Sequence, residues 1–301
     1  MKGNKKSKIR RHPGAADATR RILEQGMHYH SAGQLRQAEQ CYVEVLRRAP
    51  RNPDALHLRA TLVHQNGDSD LALQLVDQAL QSAPSHPAVL SSRARILASQ
   101  GCTGEAIAIY RQVVRLAPEV ADAHTNLGNA LSELGHYIEA VECFRMAVRL
   151  APRDPGVYCN LGSALLEAGQ KQDAVAYLLR AVELAPDFAA AYSNLGNAQQ
   201  RLGMLERALA SQRRAADLAP HMPQVHTNLG LVLHALARYE EAGGCFREAL
   251  RLDPGFAGAS SALGLTLLAM GQHQEGLRRR REGHGVVEFR TGGEGAARIV
   301  Y

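Results

Sequence analysis

The sequence has no tryptophan, and aromatic residues make up only 5% of its 301 positions. A core without large rings must be built from Ala, Leu and Val, which are small and compatible with helices. Apolar residues reach 46%, so such a core is available and wholesale disorder is excluded. No run of about 18 apolar residues occurs, which excludes a membrane-spanning helix on sequence grounds. The charged start is not followed by an apolar stretch, so no secretory signal is read, and the expected compartment is cytoplasmic. The five cysteines (Cys41, Cys102, Cys143, Cys159 and Cys245) are an odd number and form no C-x-x-C pair. That pattern offers neither a disulfide framework nor a zinc site. Lysine is scarce too: there are five, four of them in the first eight residues, while arginine supplies 30 cations. Such a bias is common in GC-rich bacterial genomes.

Basic charge is also missing from the middle of the chain. The net charge is +6, but residues 1–21 carry +7 and residues 278–301 carry +3, which leaves −4 on 22–277. A fold built to grip nucleic acid would cluster its Lys and Arg on the fold itself. Nucleic acid is therefore not an expected partner, and residues 1–18 read as a basic disordered arm.

What is present is a repeat. Ala-Pro falls at 49–50, 83–84, 117–118, 151–152, 185–186 and 219–220, and Asp253-Pro254 continues the series in steps of 34 residues. Glycine keeps the same beat at 33, 67, 101, 135, 169, 203 and 271, with Ala237 as the exception. Alanines at 38, 72, 106, 140, 174, 208 and 242 make a third series. With the proline at repeat position 32, the repeats are 19–52, 53–86, 87–120, 121–154, 155–188, 189–222 and 223–256. A decayed eighth, 257–282, follows and is polar enough to cap the array. In each, a turn near position 15 separates two stretches of helical periodicity, and the proline ends the second. The reading is all-α: about eight antiparallel helix pairs, with 283–301 left as a non-repeat tail that could be the stub of another domain.

Position 8 is small in every repeat: Gly26, Ala60, Ala94, Gly128, Gly162, Gly196, Gly230 and Gly264. A missing side chain there allows close helix approach, and Ala at position 20 does the same from the other helix. Tyr158, Leu165 and Leu178 are expected to fill the space around that contact in the fifth repeat. The sixth repeat departs from the pattern, with Gln212 where an aromatic residue or Leu is expected. One pair cannot bury its apolar face alone, so neighbours must stack.

These residues resemble the tetratricopeptide repeat (TPR) pattern over about 19–275, most closely at Ala123-His-Thr-Asn-Leu-Gly-Asn-Ala-Leu131 and Ala191-Tyr-Ser-Asn-Leu-Gly-Asn-Ala198. The resemblance implies a right-handed α-solenoid. It is similar to bacterial arrays that precede O-linked N-acetylglucosamine transferase or sulfotransferase domains. It implies a non-catalytic scaffold that binds a partner protein or an extended peptide in a concave groove. The alternative is the substrate-recruiting part of such an enzyme, with the catalytic domain elsewhere.

On the first helix of each repeat, positions 4, 7, 8 and 11 share one side, and positions 2, 6, 9 and 13 the other. The resemblance makes the second stripe the groove lining. It carries Asn126, Asn160, Asn194 and Asn228 at position 6 and Asn129 and Asn197 at position 9. Carboxamides offer both donors and an acceptor, so this row could pair with a peptide backbone of any sequence. Position 5 runs Leu23, His57, Ser91, Thr125, Cys159, Ser193, Thr227 and Ser261, with no Lys or Arg there or at position 6. The two-carboxylate clamp of chaperone-binding TPR proteins is thereby excluded. His30, His64 and His234 recur at position 12 without an acidic or cysteine partner, so no metal is expected. His124 and His226 read as packed rings. No G-x-S-x-G, P-loop or paired-carboxylate pattern occurs, so no catalytic residue and no cofactor are expected.

Overall fold

The computed structural model describes residues 13–284, and the side chains of 17–281. Sixteen α-helices and no strand occur among the described residues. They fall into two compact bodies divided after His136. The N-terminal body holds α1 (Pro13–Ser31), α2 (Leu35–Arg48), α3 (Pro53–Gln65), α4 (Ser69–Ser82), α5 (Pro87–Ser99), α6 (Thr103–Leu116) and α7 (Ala121–Glu133). The C-terminal body holds α8 (Tyr137–Leu150), α9 (Pro155–Glu167), α10 (Lys171–Leu184), α11 (Ala189–Arg201) and α12 (Leu205–Leu218). It continues with α13 (Pro223–Ala235), α14 (Tyr239–Leu252), α15 (Ala257–Ala269) and α16 (His273–His284). The fold is an all-α solenoid with the 34-residue period of the sequence. Two boundaries move. Helix α1 begins at Pro13, so residues 13–18 of the expected disordered arm are helical, and α16 runs to His284, two residues into the expected tail. Residues 1–12 and 285–301 lie outside the described residues.

Local chemistry accounts for the element ends. The Asn52 side chain accepts from the Ala55 N–H at 2.8 Å and caps α3, and Asp68 does the same for α4 at 3.0 Å. Between the helices of a pair the chain reverses through a left-handed residue. At Gly169 φ is +81°, and the next amide, Gln170 N–H, reaches back to the Leu165 carbonyl at 2.8 Å. This closes the helix end with bonds that only a positive φ allows. Ala237 takes the same turn at φ +57°, the one non-glycine residue with positive φ among those described.

Packing follows the small series. A Cβ placed on Gly162 would lie 2.5 Å from Leu178 Cγ, and one on Gly230 would lie 2.6 Å from Phe246 Cε1. Position 8 therefore meets position 24 of the same repeat. The position 20 alanines, from Ala38 to Ala242, are completely buried. Leu165 and Leu178 are fully buried as well, whereas Tyr158 is half-buried and donates its hydroxyl to the Pro152 carbonyl at 3.3 Å. Burial extends beyond positions 4, 7, 8 and 11. Positions 3 and 10, such as Ala55 and Leu62 or Ala191 and Ala198, are buried too. Within each body, first helices such as α5 and α11 pack on their own partner and also on the preceding repeat, so little more than one stripe of each meets solvent.

Candidate functional site: the amide stripe of the first helices

Helices α3, α5 and α7 stack in the N-terminal body, and α9, α11, α13 and α15 stack in the C-terminal body. Their positions 2, 9 and 13 are mostly exposed, whereas position 6 sits in the seam between successive first helices. Asn126, Asn160 and Asn194 are half-buried, Asn228 is only 7% exposed, Asn129 is exposed and Asn197 half-buried.

The seam has its own bonding rule. His57 Nδ1 and Ser92 Oγ lie 3.0 Å apart. Asn194 Nδ2 donates to Cys159 Sγ at 3.3 Å, and Asn228 Nδ2 donates to Ser193 Oγ at 2.9 Å. All three pairs span 35 residues, joining position 5 of one repeat to position 6 of the next. Part of the asparagine ladder is thus engaged in holding adjacent repeats in register. Asn228 is bonded at both ends, because its Oδ1 also accepts from Gln224 Nε2 at 2.9 Å. Asn194 keeps Oδ1 available. Asn197 is held differently: its Oδ1 accepts from Gln212 Nε2 at 2.8 Å, which leaves Nδ2 for an outside acceptor.

Asn194 and Asn197 are three residues apart on α11 and therefore side by side on its surface. One offers an acceptor and the other a donor. On the rim of the same stripe, Arg201 pairs with Glu167 at 2.8 Å. In the N-terminal body, Asn126 walls a cavity of about 410 Å³ with His57, Ser92, Arg95 and Asp122. Arg95 donates to Thr61 Oγ1 at 3.3 Å from the helix behind it. Burial, then the nearby Arg95 and His86 charges, push the His57 imidazole down to about 4 against an opposing pull from Asp54.

The remaining candidates take structural places. His124 Nε2 lies 2.9 Å from the Pro118 carbonyl, and His226 Nε2 lies 2.8 Å from the Pro220 carbonyl. A carbonyl only accepts, so both rings donate from Nε2. His30 bonds Tyr42 and Gln65, and His234 bonds Thr266. Among the described residues, no group of three or more His, Cys, Asp or Glu side chains is gathered to hold a metal, and no helix is long and apolar enough to cross a membrane. Cys159 and Cys245 are partly or wholly enclosed, and burial pushes both thiols up. Reading the sequence missed Ser193, Gln212 and Gln224 as partners of the stripe. The available signal was the polar residue at position 5 of each repeat that precedes an Asn at position 6.

Family models described as tetratricopeptide repeat match residues 23–87 and 159–223, 119–187 and 223–256, and a TPR repeat model matches 94–135. Together they run through most of the array. The chain belongs to the tetratricopeptide repeat family. Two solved structures agree on the fold. A tetratricopeptide repeat protein from Parabacteroides merdae is 18% identical, with a TM-score of 0.62, over 83% of this TPR chain and 99% of its own. The Cut9-Hcn1 hetero-tetramer of APC/C gives 17% identity and a TM-score of 0.67, over 83% of this chain and 49% of that one. YrrB, described as a TPR protein with an unusual peptide-binding site, is 24% identical over 61% of this chain and 95% of its own, with a TM-score of 0.48. No curated protein matches the chain. A TPR array of this kind is a protein-interaction scaffold in general, and a repeat-only fold is typical of non-catalytic scaffolds.

Proposed function

We propose that this TPR array binds an extended segment of a partner protein through the partner's main chain, using the amide stripe of its first helices. The observation that carries the reading is the pair on α11. Asn194 presents a carboxamide oxygen and Asn197 a carboxamide nitrogen on the half-exposed stripe, each with its other end already occupied. A peptide unit offers the complementary N–H and C=O whatever its side chains, so such a pair selects for extended backbone rather than for sequence. Asn160 and Asn228 flank it in the C-terminal body, and Asn126 and Asn129 carry the same chemistry in the N-terminal body. The proposed repeat boundaries remain those read from the sequence, from 19–52 to 257–282.

The test is binding of peptides of about 12 residues, selected from a random phage-displayed library on the full chain. The comparison is with a quadruple Asn126, Asn160, Asn194 and Asn228→Ala variant, at low and high salt. Each neutral hydrogen bond contributes about 0.5–1.5 kcal/mol, so the quadruple change should cost at least tenfold in affinity. Salt should have little effect, since the groups are uncharged. Equal affinity of parent and variant, with helical content preserved in both, refutes the reading. Loss of binding on raising salt alone would assign it to the basic residues at the chain ends.

A further inference from the structure

Position 24 is apolar or aromatic in six of the other repeats, Tyr42, Val76, Tyr110, Phe144, Leu178 and Phe246, all 5% exposed or less, and only the capping eighth repeat also departs, with Arg280. Gln212 occupies it in the sixth repeat and is completely buried against Gly196. Its Oε1 is buried without a hydrogen-bond partner. Stability alone favours Leu here, because a buried carboxamide must be desolvated and one end of this one gains nothing in return. The other end explains what the amide does. Gln212 Nε2 donates to the Ser193 carbonyl at 3.0 Å and to Asn197 at 2.8 Å.

A chain of polarity follows. The Ser193 main-chain carbonyl can only accept, so the Gln212 atom facing it must be the NH2. That same NH2 faces Asn197, which must therefore offer its oxygen inward. Asn197 Nδ2 is then turned away from the interior of the helix pair, onto the stripe. A backbone carbonyl thus dictates, through one buried side chain, which end of a surface amide the partner meets. We infer that Gln212 is a positioning residue that presets Asn197 as a hydrogen-bond donor for a main-chain carbonyl of the bound segment. The inference rests on the groove reading above and adds polarity to it, since an amide free to flip would offer donor and acceptor alike.

The experiment compares the parent with Gln212→Leu, Asn197→Ala and the double variant, each as the full chain, with a library-selected peptide of about 12 residues as probe. Gln212→Leu should melt at or above the parent temperature, since Leu178 already fills the equivalent slot beside Gly162. Its affinity should fall roughly three- to tenfold, the worth of one oriented neutral hydrogen bond. The double variant should bind no more weakly than Asn197→Ala, because Gln212 acts only through Asn197. Gln212→Met, close in shape without the amide, should reproduce the loss. In nuclear magnetic resonance spectra of the free protein, the two Asn197 Nδ2 proton shifts should depart from free-amide values in the parent and return toward them in Gln212→Leu. Losses that multiply in the double variant, or Gln212→Leu binding like the parent while Asn197→Ala does not, overturn the inference alone. Unchanged binding in Asn197→Ala and in the quadruple Asn variant overturns the groove reading instead. If no peptide can be selected, the Asn197 resonances still decide whether Gln212 orients that amide.

Discussion

Gly162→Ala adds a single methyl group at the tightest point of the fifth repeat. The new Cβ would stand 2.5 Å from Leu178 Cγ, 2.9 Å from Cδ2 and 3.2 Å from Cδ1. Carbon atoms rest at about 3.5–4.0 Å, so α9 and α10 must separate by about 1 Å or Leu178 must leave its rotamer. Leu178 cannot swing clear, because it is fully buried and the closest atom is its branch point. Overpacking of this kind costs about 1–3 kcal/mol. At roughly 2–4 °C per kcal/mol for a body of this size, the midpoint of thermal unfolding should fall by several degrees. Circular dichroism melting measures this, and hydrogen exchange should place the loosening in 155–184. The protein supplies its own rescue. In the second repeat the corresponding pair is Ala60 with Val76, both fully buried in one apolar cluster. Gly162→Ala combined with Leu178→Val recreates that pair and should recover part of the loss. A single variant that melts like the parent refutes the register in which position 8 meets position 24. A destabilised single variant that Leu178→Val fails to relieve refutes Leu178 as the obstacle.

Two further outcomes follow from single residues. Ala237→Gly should raise stability by about 0.5–1 kcal/mol, because Ala pays for its left-handed φ of +57° and glycine does not, less the extra chain entropy glycine loses on folding; unchanged or lower stability by denaturant titration would show that this turn carries no strain. His57 is held at about 4, below its ordinary 6.5, so the unfolded chain takes up its proton first as the pH drops. Stability should be fully present above about pH 6.5 and be lost between there and pH 4, by up to about 2–3 kcal/mol, and His57→Gln should flatten that part of the profile.

Much of this protein was determined locally and could be read from the chain. The 34-residue period, the glycine turns and the proline stops lie within one helix pair, and interactions inside a pair act over short sequence distances. The match of Gly162 to Leu178 is of this kind, since both belong to one hairpin of helices. The tertiary structure decided what lies between pairs. Whether position 6 faces solvent or its neighbour depends on how far one repeat turns relative to the last, which no single repeat encodes. That turn places Asn194 against Cys159 and Asn228 against Ser193, each 35 residues away, and converts part of an exposed ladder into a seam. Positions 3 and 10 became buried for the same reason: the preceding repeat packs on them, as Val113 does on Ala123 and Ala215 on Val225. Gln212 shows the limit most plainly. In the sequence it is a polar residue at an apolar position, a mark of a weak repeat. Only its two partners, the Ser193 carbonyl and Asn197, show that the amide is buried to hold another amide in one orientation.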